Sequence, residues 1–187
     1  MDQRQGLAHT RTRPWQWLGI AVATGAVVAG ALALAPAGEA APIADGPHAV
    51  PAATAPDPAK AVFPLDCAGL PVKLTARFSA DTSGNGTLVT VVAAHCDAGN
   101  GTPPDGLYLL RPGPGGKPRI AATLISPNEH LTVRTLGLRA DGAIHAAVDG
   151  YSSADVPRCC ADLHLTYTWT AGAGGYSRSV TDPQAQV

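Results

Sequence analysis

From residue 72 to residue 79 apolar and polar positions alternate without a break: Val72, Leu74, Ala76 and Phe78 on one side, Lys73, Thr75, Arg77 and Ser79 on the other. A period of two is the signature of a strand with one buried face. The turn-rich "ADTSGNG" follows, and "TLVTVVAAHC" (87–96) predicts a returning strand that is more fully buried. The same grammar continues: runs 106–111 and 119–125 flank "PGPGGKP", runs 131–139 and 143–151 flank Asp141-Gly142, and runs 163–171 and 176–180 flank "GAGG". Short apolar runs joined in pairs by Gly-rich turns predict β-hairpins. Beyond residue 35 no period near 3.6 residues is present. The expected fold is therefore all-β, a small antiparallel sandwich or half-open barrel of about eight strands.

Two segments ahead of the strands follow different rules. Residues 1–17 carry Arg4, Arg11 and Arg13, residues 18–35 are an uncharged apolar run, and "PAGEAAP" (36–42) supplies small residues. That order predicts an export signal within residues 1–40, cleaved near Ala40. Eighteen residues of helix also span about 27 Å, so the apolar helix suits an uncleaved single-pass anchor with a cytoplasmic N-terminus. Both outcomes place the rest of the chain outside the cytoplasm. Residues 41–61 hold five prolines and little apolar periodicity, which predicts a disordered Ala/Pro-rich tether with His48 solvated. Residues 62–182 form the expected β domain, and 183–187 a tail.

Composition narrows the partners. Hydrophobic residues make up 45% of the 187-residue chain but aromatics only 5%, so the apolar content is largely alanine. Beyond residue 40, ten Lys/Arg are scattered among twelve Asp/Glu. No basic stripe exists to displace counterions from a phosphate backbone, which argues against nucleic acid as a partner.

All four cysteines, Cys67, Cys96, Cys159 and Cys160, lie in the exported part, where an even number predicts disulfides. Of three pairings, one joins Cys159 to Cys160 in a strained eight-membered ring. The other two tie Cys67 and Cys96 to the Cys159-Cys160 segment, closing loops of more than sixty residues. Each such staple would contribute about 3–5 kcal/mol, and they are the expectation taken forward. A metal site from Cys159, Cys160 and His164, with His95 and Cys96, lacks the usual C-x₂₋₄-C spacing. A redox-active vicinal pair is the third possibility, without a C-x-x-C motif to support it.

Asp81, Ser83 and Asn85 occupy alternate positions like a calcium loop, yet Val89 and Val92 stand where further ligands belong. An Asn-Gly hairpin turn explains the segment better. His95, His130, His145 and His164 read as structural strand or loop histidines, and no nucleophile elbow, H-E-x-x-H or phosphate loop is present. No catalytic residue and no cofactor is therefore predicted. The loops "CDAGNGTPPDG" (96–106) and "YSSADVPRCC" (151–160) are polar and Pro/Gly-rich, the places where a β scaffold carries recognition. If cystines bring them together, Tyr108, Tyr151, Arg158 and Trp169 would line a shared binding patch.

The order "DTSGNGTLVTVVAAHCDAGNGTPPDGLYLL…RIAATLI…GYSSADVPRCC…YTW" over residues 62–180 resembles a domain of secreted or membrane-anchored actinobacterial envelope proteins, some of them LppP/LprE-type lipoproteins. The resemblance implies an envelope location rather than an activity. A lipobox cysteine after the apolar run is missing, and the acidic turn of such domains is reduced to Asp81, Ser83 and Asn85. The expected function is a non-catalytic binding or accessory domain contacting an envelope protein, a glycan or a small ligand. A secreted hydrolytic or redox enzyme and a structural wall-associated protein are the alternatives.

Overall fold

The computed structural model describes residues 46–99 and 103–182. The proposed signal or anchor (1–40) and the tail (183–187) lie outside the described residues. Among the described residues no helix is long and apolar enough to cross a membrane.

Nine strands form two antiparallel sheets. The first sheet runs β1 (His48–Ala49), β2 (Val72–Asp81), β3 (Leu88–Cys96), β4 (Gly106–Pro112), β5 (Pro118–Ile125). The second runs β6 (Thr132–Leu138), β7 (Ile144–Gly150), β8 (Leu163–Gly172), β9 (Gly175–Thr181). Every hairpin predicted from the turns is present, and β3–β4 and β7–β8 pair as well. Each sheet is thus a meander, and the two do not close into a barrel. Their facing sides share one core: Val91, Ala93, Leu107, Leu109 and Ile125 from the first sheet meet Ile144, Ala146, Val148, Tyr167 and Trp169 from the second. Tyr167 and Trp169 contact edge to face at 5.7 Å between ring centroids, a geometry that adds about 0.5–1.5 kcal/mol beyond burial. The chain crosses between sheets at 126–131, where Ser126 and Glu129 form a capping box. Glu129 also receives Arg178 of β9, whose guanidinium covers the Tyr167 ring.

The strict alternation of β2 is broken by a bulge. Leu74 pairs with Ala94 and Ala76 with Ala93, leaving Thr75 as the extra residue. Ala76 and Phe78 consequently face the inter-sheet core, whereas Leu74 turns to the outer face of the first sheet. A second bulge in β6, between Val133 and Thr135, leaves Arg134 unpaired. Bulges re-aim a side chain at the position where they occur.

The outer face of the first sheet is also covered. Val92, Ala94, Tyr108 and Leu110 pack beneath Ala61, Phe63 and Leu65, with the Phe63 and Tyr108 rings 5.3 Å apart. Residues 46–61, expected as a free tether, therefore run as an arm across the sheet. His48–Ala49 pairs with Ala80–Asp81, the Val50 amide donates to the Ser79 carbonyl, and Thr90 donates to the Pro56 carbonyl at 2.8 Å. His48, expected solvated, is half-buried and contacts the Gly46 carbonyl through Nδ1 at 2.8 Å. Burial of Phe63 and its apolar neighbours is what the proline-rich composition conceals. Where this arm meets the turns, space is short. A Cβ on Gly84 would lie 2.6 Å from the Gly46 backbone, and one on Gly142 would lie 2.5 Å from the Thr82 carbonyl and 2.7 Å from Pro47. Both glycines also have positive φ, a conformation costly for other residues.

The cysteines pair differently from the expectation. Cys67 bonds to Cys96, with Cα atoms 5.3 Å apart, while Cys159 and Cys160 are exposed free thiols. The staple runs from the arm to the end of β3 and does not link the front of the domain to its tail. The β2–β3 hairpin brings Val72 opposite Cys96, so Cys67, five residues earlier, reaches Cys96 through a single turn (the Leu70 amide donates to the Cys67 carbonyl at 2.9 Å). Closing a loop with a sequence separation of 29 residues contributes about 3–4 kcal/mol through the unfolded chain. Replacing Cys67 and Cys96 together by alanine is expected to lower unfolding stability by that amount in urea. Replacing Cys159 and Cys160 by serine is expected to leave the urea midpoint unchanged.

Candidate functional site

One end of the sandwich is organised by a buried carboxylate. Asp105, 0% exposed, lies just ahead of β4. Its Oδ1 accepts hydrogen bonds from the Thr75 hydroxyl at 3.1 Å and from His95 Nδ1 at 2.9 Å. Its Oδ2 accepts from the Val133 amide at 2.8 Å, and its own amide donates to the Leu131 carbonyl at 2.8 Å. The bulge in β2 supplies Thr75, β3 supplies His95, and the start of β6 supplies Val133. A single side chain therefore clasps the two sheets together. A buried carboxylate is tolerated only when its lone pairs are occupied in this way. The sequence shows only a lone Asp before a glycine, which reads as a turn.

Val133 is clasped inward, and its neighbours Thr132 and Arg134 face a polar pocket on the second sheet. The pocket, about 270 Å³, is completed by Asp149, Tyr151 and Arg158–Ala161. Arg134 Nε lies 3.4 Å from Asp149, and His164 Nδ1 contacts the other oxygen of Asp149 at 2.8 Å. Loop 151–162 forms the far wall and is braced from within. The Tyr151 hydroxyl donates to the Arg158 carbonyl at 2.6 Å, and the Arg158 guanidinium lies 5.1 Å over the Tyr151 ring. The Ser152 amide and hydroxyl both donate to Asp162. Those bonds, hydroxyl first, hold the Asp162 carboxyl below its ordinary range, aided by the nearby His164. Arg158 has no acidic partner among the described residues, so its charge is available to a ligand.

The structure brings together two of the four residues of the expected patch. Tyr151 and Arg158 are adjacent and accessible, but Tyr108 is 0% exposed beneath Phe63 and Trp169 is 2% exposed in the inter-sheet core. Tyr108 faces the arm-covered outer side of the first sheet, and Trp169 faces the core between the sheets. Cys96 does not draw loop 96–106 to loop 151–160; its surroundings are Leu65, Asp66, Pro103, Pro104 and Ser126–Asn128. Residues 100–102 of that loop lie outside the described residues.

Asp81, Ser83 and Asn85 form a turn, with their oxygens spent on the turn's own backbone. Asp81 accepts from the amides of Ser83, Gly84 and Gly86, and Asn85 accepts from the Thr87 amide. Burial pushes the Asp81 carboxyl up, but the amides of Gly86, Ser83, Gly84 and Asn85 outweigh it and hold it below its ordinary value. Among the described residues no three His, Cys, Asp or Glu side chains converge as metal ligands. His130 occupies a left-handed position at the crossover, and His145 stands on the outer side of β7 with Nδ1 buried and unpartnered. His95 and His164 are held by Asp105 and Asp149, so the four histidines do not meet. No family model, curated protein or solved structure matches the chain.

Replacing Asp105 by alanine strands two buried donors, His95 Nδ1 and the Val133 amide, and is expected to cost about 3–5 kcal/mol, read as a shifted urea midpoint. Asp81 gives a pH signature. Its folded pKa is below its unfolded value of 3.8, so its contribution is present above about pH 4 and is lost as pH falls through the folded value. In acid titrations of thermal stability, Asp81→Asn is expected to flatten this limb relative to the parent.

Proposed function

We propose that the chain is an extracytoplasmic binding domain of a bacterial cell envelope, without catalysis, that holds an acidic ligand in the pocket between β6, β7 and loop 151–162. The observation that carries this reading is the Tyr151–Arg158 pair. A guanidinium without an acidic partner lies over an aromatic ring on a hydrogen-bonded loop, beside an open polar pocket. Such a group is preorganised, so little side-chain freedom is lost when a carboxylate or phosphate docks. Arg134 is the opposite case: Asp149 already occupies it and fixes its direction. The Cys67–Cys96 disulfide and the export grammar of residues 1–42 support the location outside the cytoplasm. Peptidoglycan fragments, which carry carboxylates and are abundant in that compartment, are the ligand class to test first.

Calorimetric titration of the purified chain with soluble peptidoglycan fragments is expected to show binding that weakens at least about tenfold in Arg158→Ala, equivalent to about 1.4 kcal/mol. Tyr151→Ala, which removes both the ring and the hydroxyl brace, is expected to weaken it further, with unchanged circular dichroism in both variants. Equal affinity in parent and variants would reject the pocket as the binding surface.

A further inference from the structure

The chain has four cysteines, and because Cys67 and Cys96 close on each other, Cys159 and Cys160 have no third sulfur to pair with. They are presented on a shaped element. The Cys160 amide donates to the Pro157 carbonyl at 2.9 Å, making a turn that ends in the two thiols, and the Tyr151 and Ser152 bonds brace the loop that carries it. Both thiols are exposed on the rim of the pocket, with Arg134 and Arg158 among its other lining residues. Cationic neighbours favour the thiolate, the reactive form of cysteine.

We propose that Cys159 and Cys160 form a two-electron dithiol–disulfide site, oxidised by a disulfide compound, that closes to a vicinal ring on the rim of the pocket. In the first step one thiolate, drawn as Cys159 with its proton released to solvent, attacks one sulfur of R–S–S–R. A Cys159–S–S–R bond forms, the R–S–S–R bond breaks, and RS⁻ leaves. In the second step Cys160 gives up its proton and attacks the Cys159 sulfur, expelling the second RS⁻. The two thiolates take up the two protons. The protein loses two electrons and two protons, and the disulfide becomes two thiols.

The hydrogen bond with Cys159 foremost, and burial second, hold the Cys160 thiol above its ordinary range. A ring of adjacent cysteines is strained, and strained disulfides have the more oxidising potentials that suit reversible use. The chemistry does not depend on which ligand the pocket binds, because the measurement follows sulfur and not ligand.

The test uses the full chain and its Cys159→Ser and Cys160→Ser variants, equilibrated across mixtures of reduced and oxidised glutathione, acid-quenched, alkylated and weighed intact. The parent is expected to convert to a species lighter by two hydrogens, free of glutathione and reopened by excess reduced glutathione, with Cys67–Cys96 intact throughout. Each variant is expected to stop at the mixed disulfide. Stable glutathione adducts on the parent, a pair that remains dithiol in oxidised glutathione, or a ring that does not reopen would overturn the site.

Discussion

The carboxylate of Asp105 is the constraint on which the arrangement depends. Apolar packing between two meanders is non-directional, and it permits small slides of one sheet over the other. Hydrogen bonds from Thr75, His95 and the Val133 amide to one buried side chain remove that freedom. The clasp also sets the pocket, because successive residues of a strand point to opposite sides. Holding the Val133 backbone inward fixes Thr132 and the bulged Arg134 outward. A structural bond inside the sandwich and a candidate ligand surface outside it are thus two sides of the same three residues.

The first sheet is an interior layer, and this compensates for a core poor in large side chains. Aromatics are only 5% of the chain, and the central strands are built from valine, alanine and leucine. Covering β3 and β4 on both faces recovers apolar burial that one face would not supply, at about 25 cal/mol per Å². The arm carrying Phe63 and Leu65 makes that second face, and the Cys67–Cys96 bond ties the arm's end to β3. The second sheet keeps one wet side, where Asp149 and His164 meet.

Strand positions and hairpin partners were legible in the sequence because each rests on local chemistry: a period of two, then a glycine-rich turn. The bulges in β2 and β6 differ in this respect. In β6 the apolar positions step from Leu131 and Val133 to Leu136, a slip of one residue that marks the extra Arg134. In β2 the alternation of Leu74, Ala76 and Phe78 is unbroken, because Leu74 finds an apolar surface on the outer face instead. That surface is made by the arm, whose prolines and alanines imitate a disordered segment. Tyr108 and Trp169 were misplaced for a related reason, since an amphipathic aromatic carries no mark saying whether it ends a patch or fills a core. Tyr151 and Arg158, which do lie together, were picked out because loop composition is a local signal. Asp105 was not, since its three donors are distant in sequence and only the fold assembles them.

The crowding of Gly84 and Gly142 against Gly46 and Pro47 has a directional consequence. These contacts sit where β7 begins, and the Tyr151 loop sits where β7 ends, about 24 Å away for seven extended residues. Gly46, the first described residue, lies at the one end, and Arg158, Cys159 and Cys160 line the pocket at the other. The pocket and its two thiols therefore open at the pole remote from the first described residue.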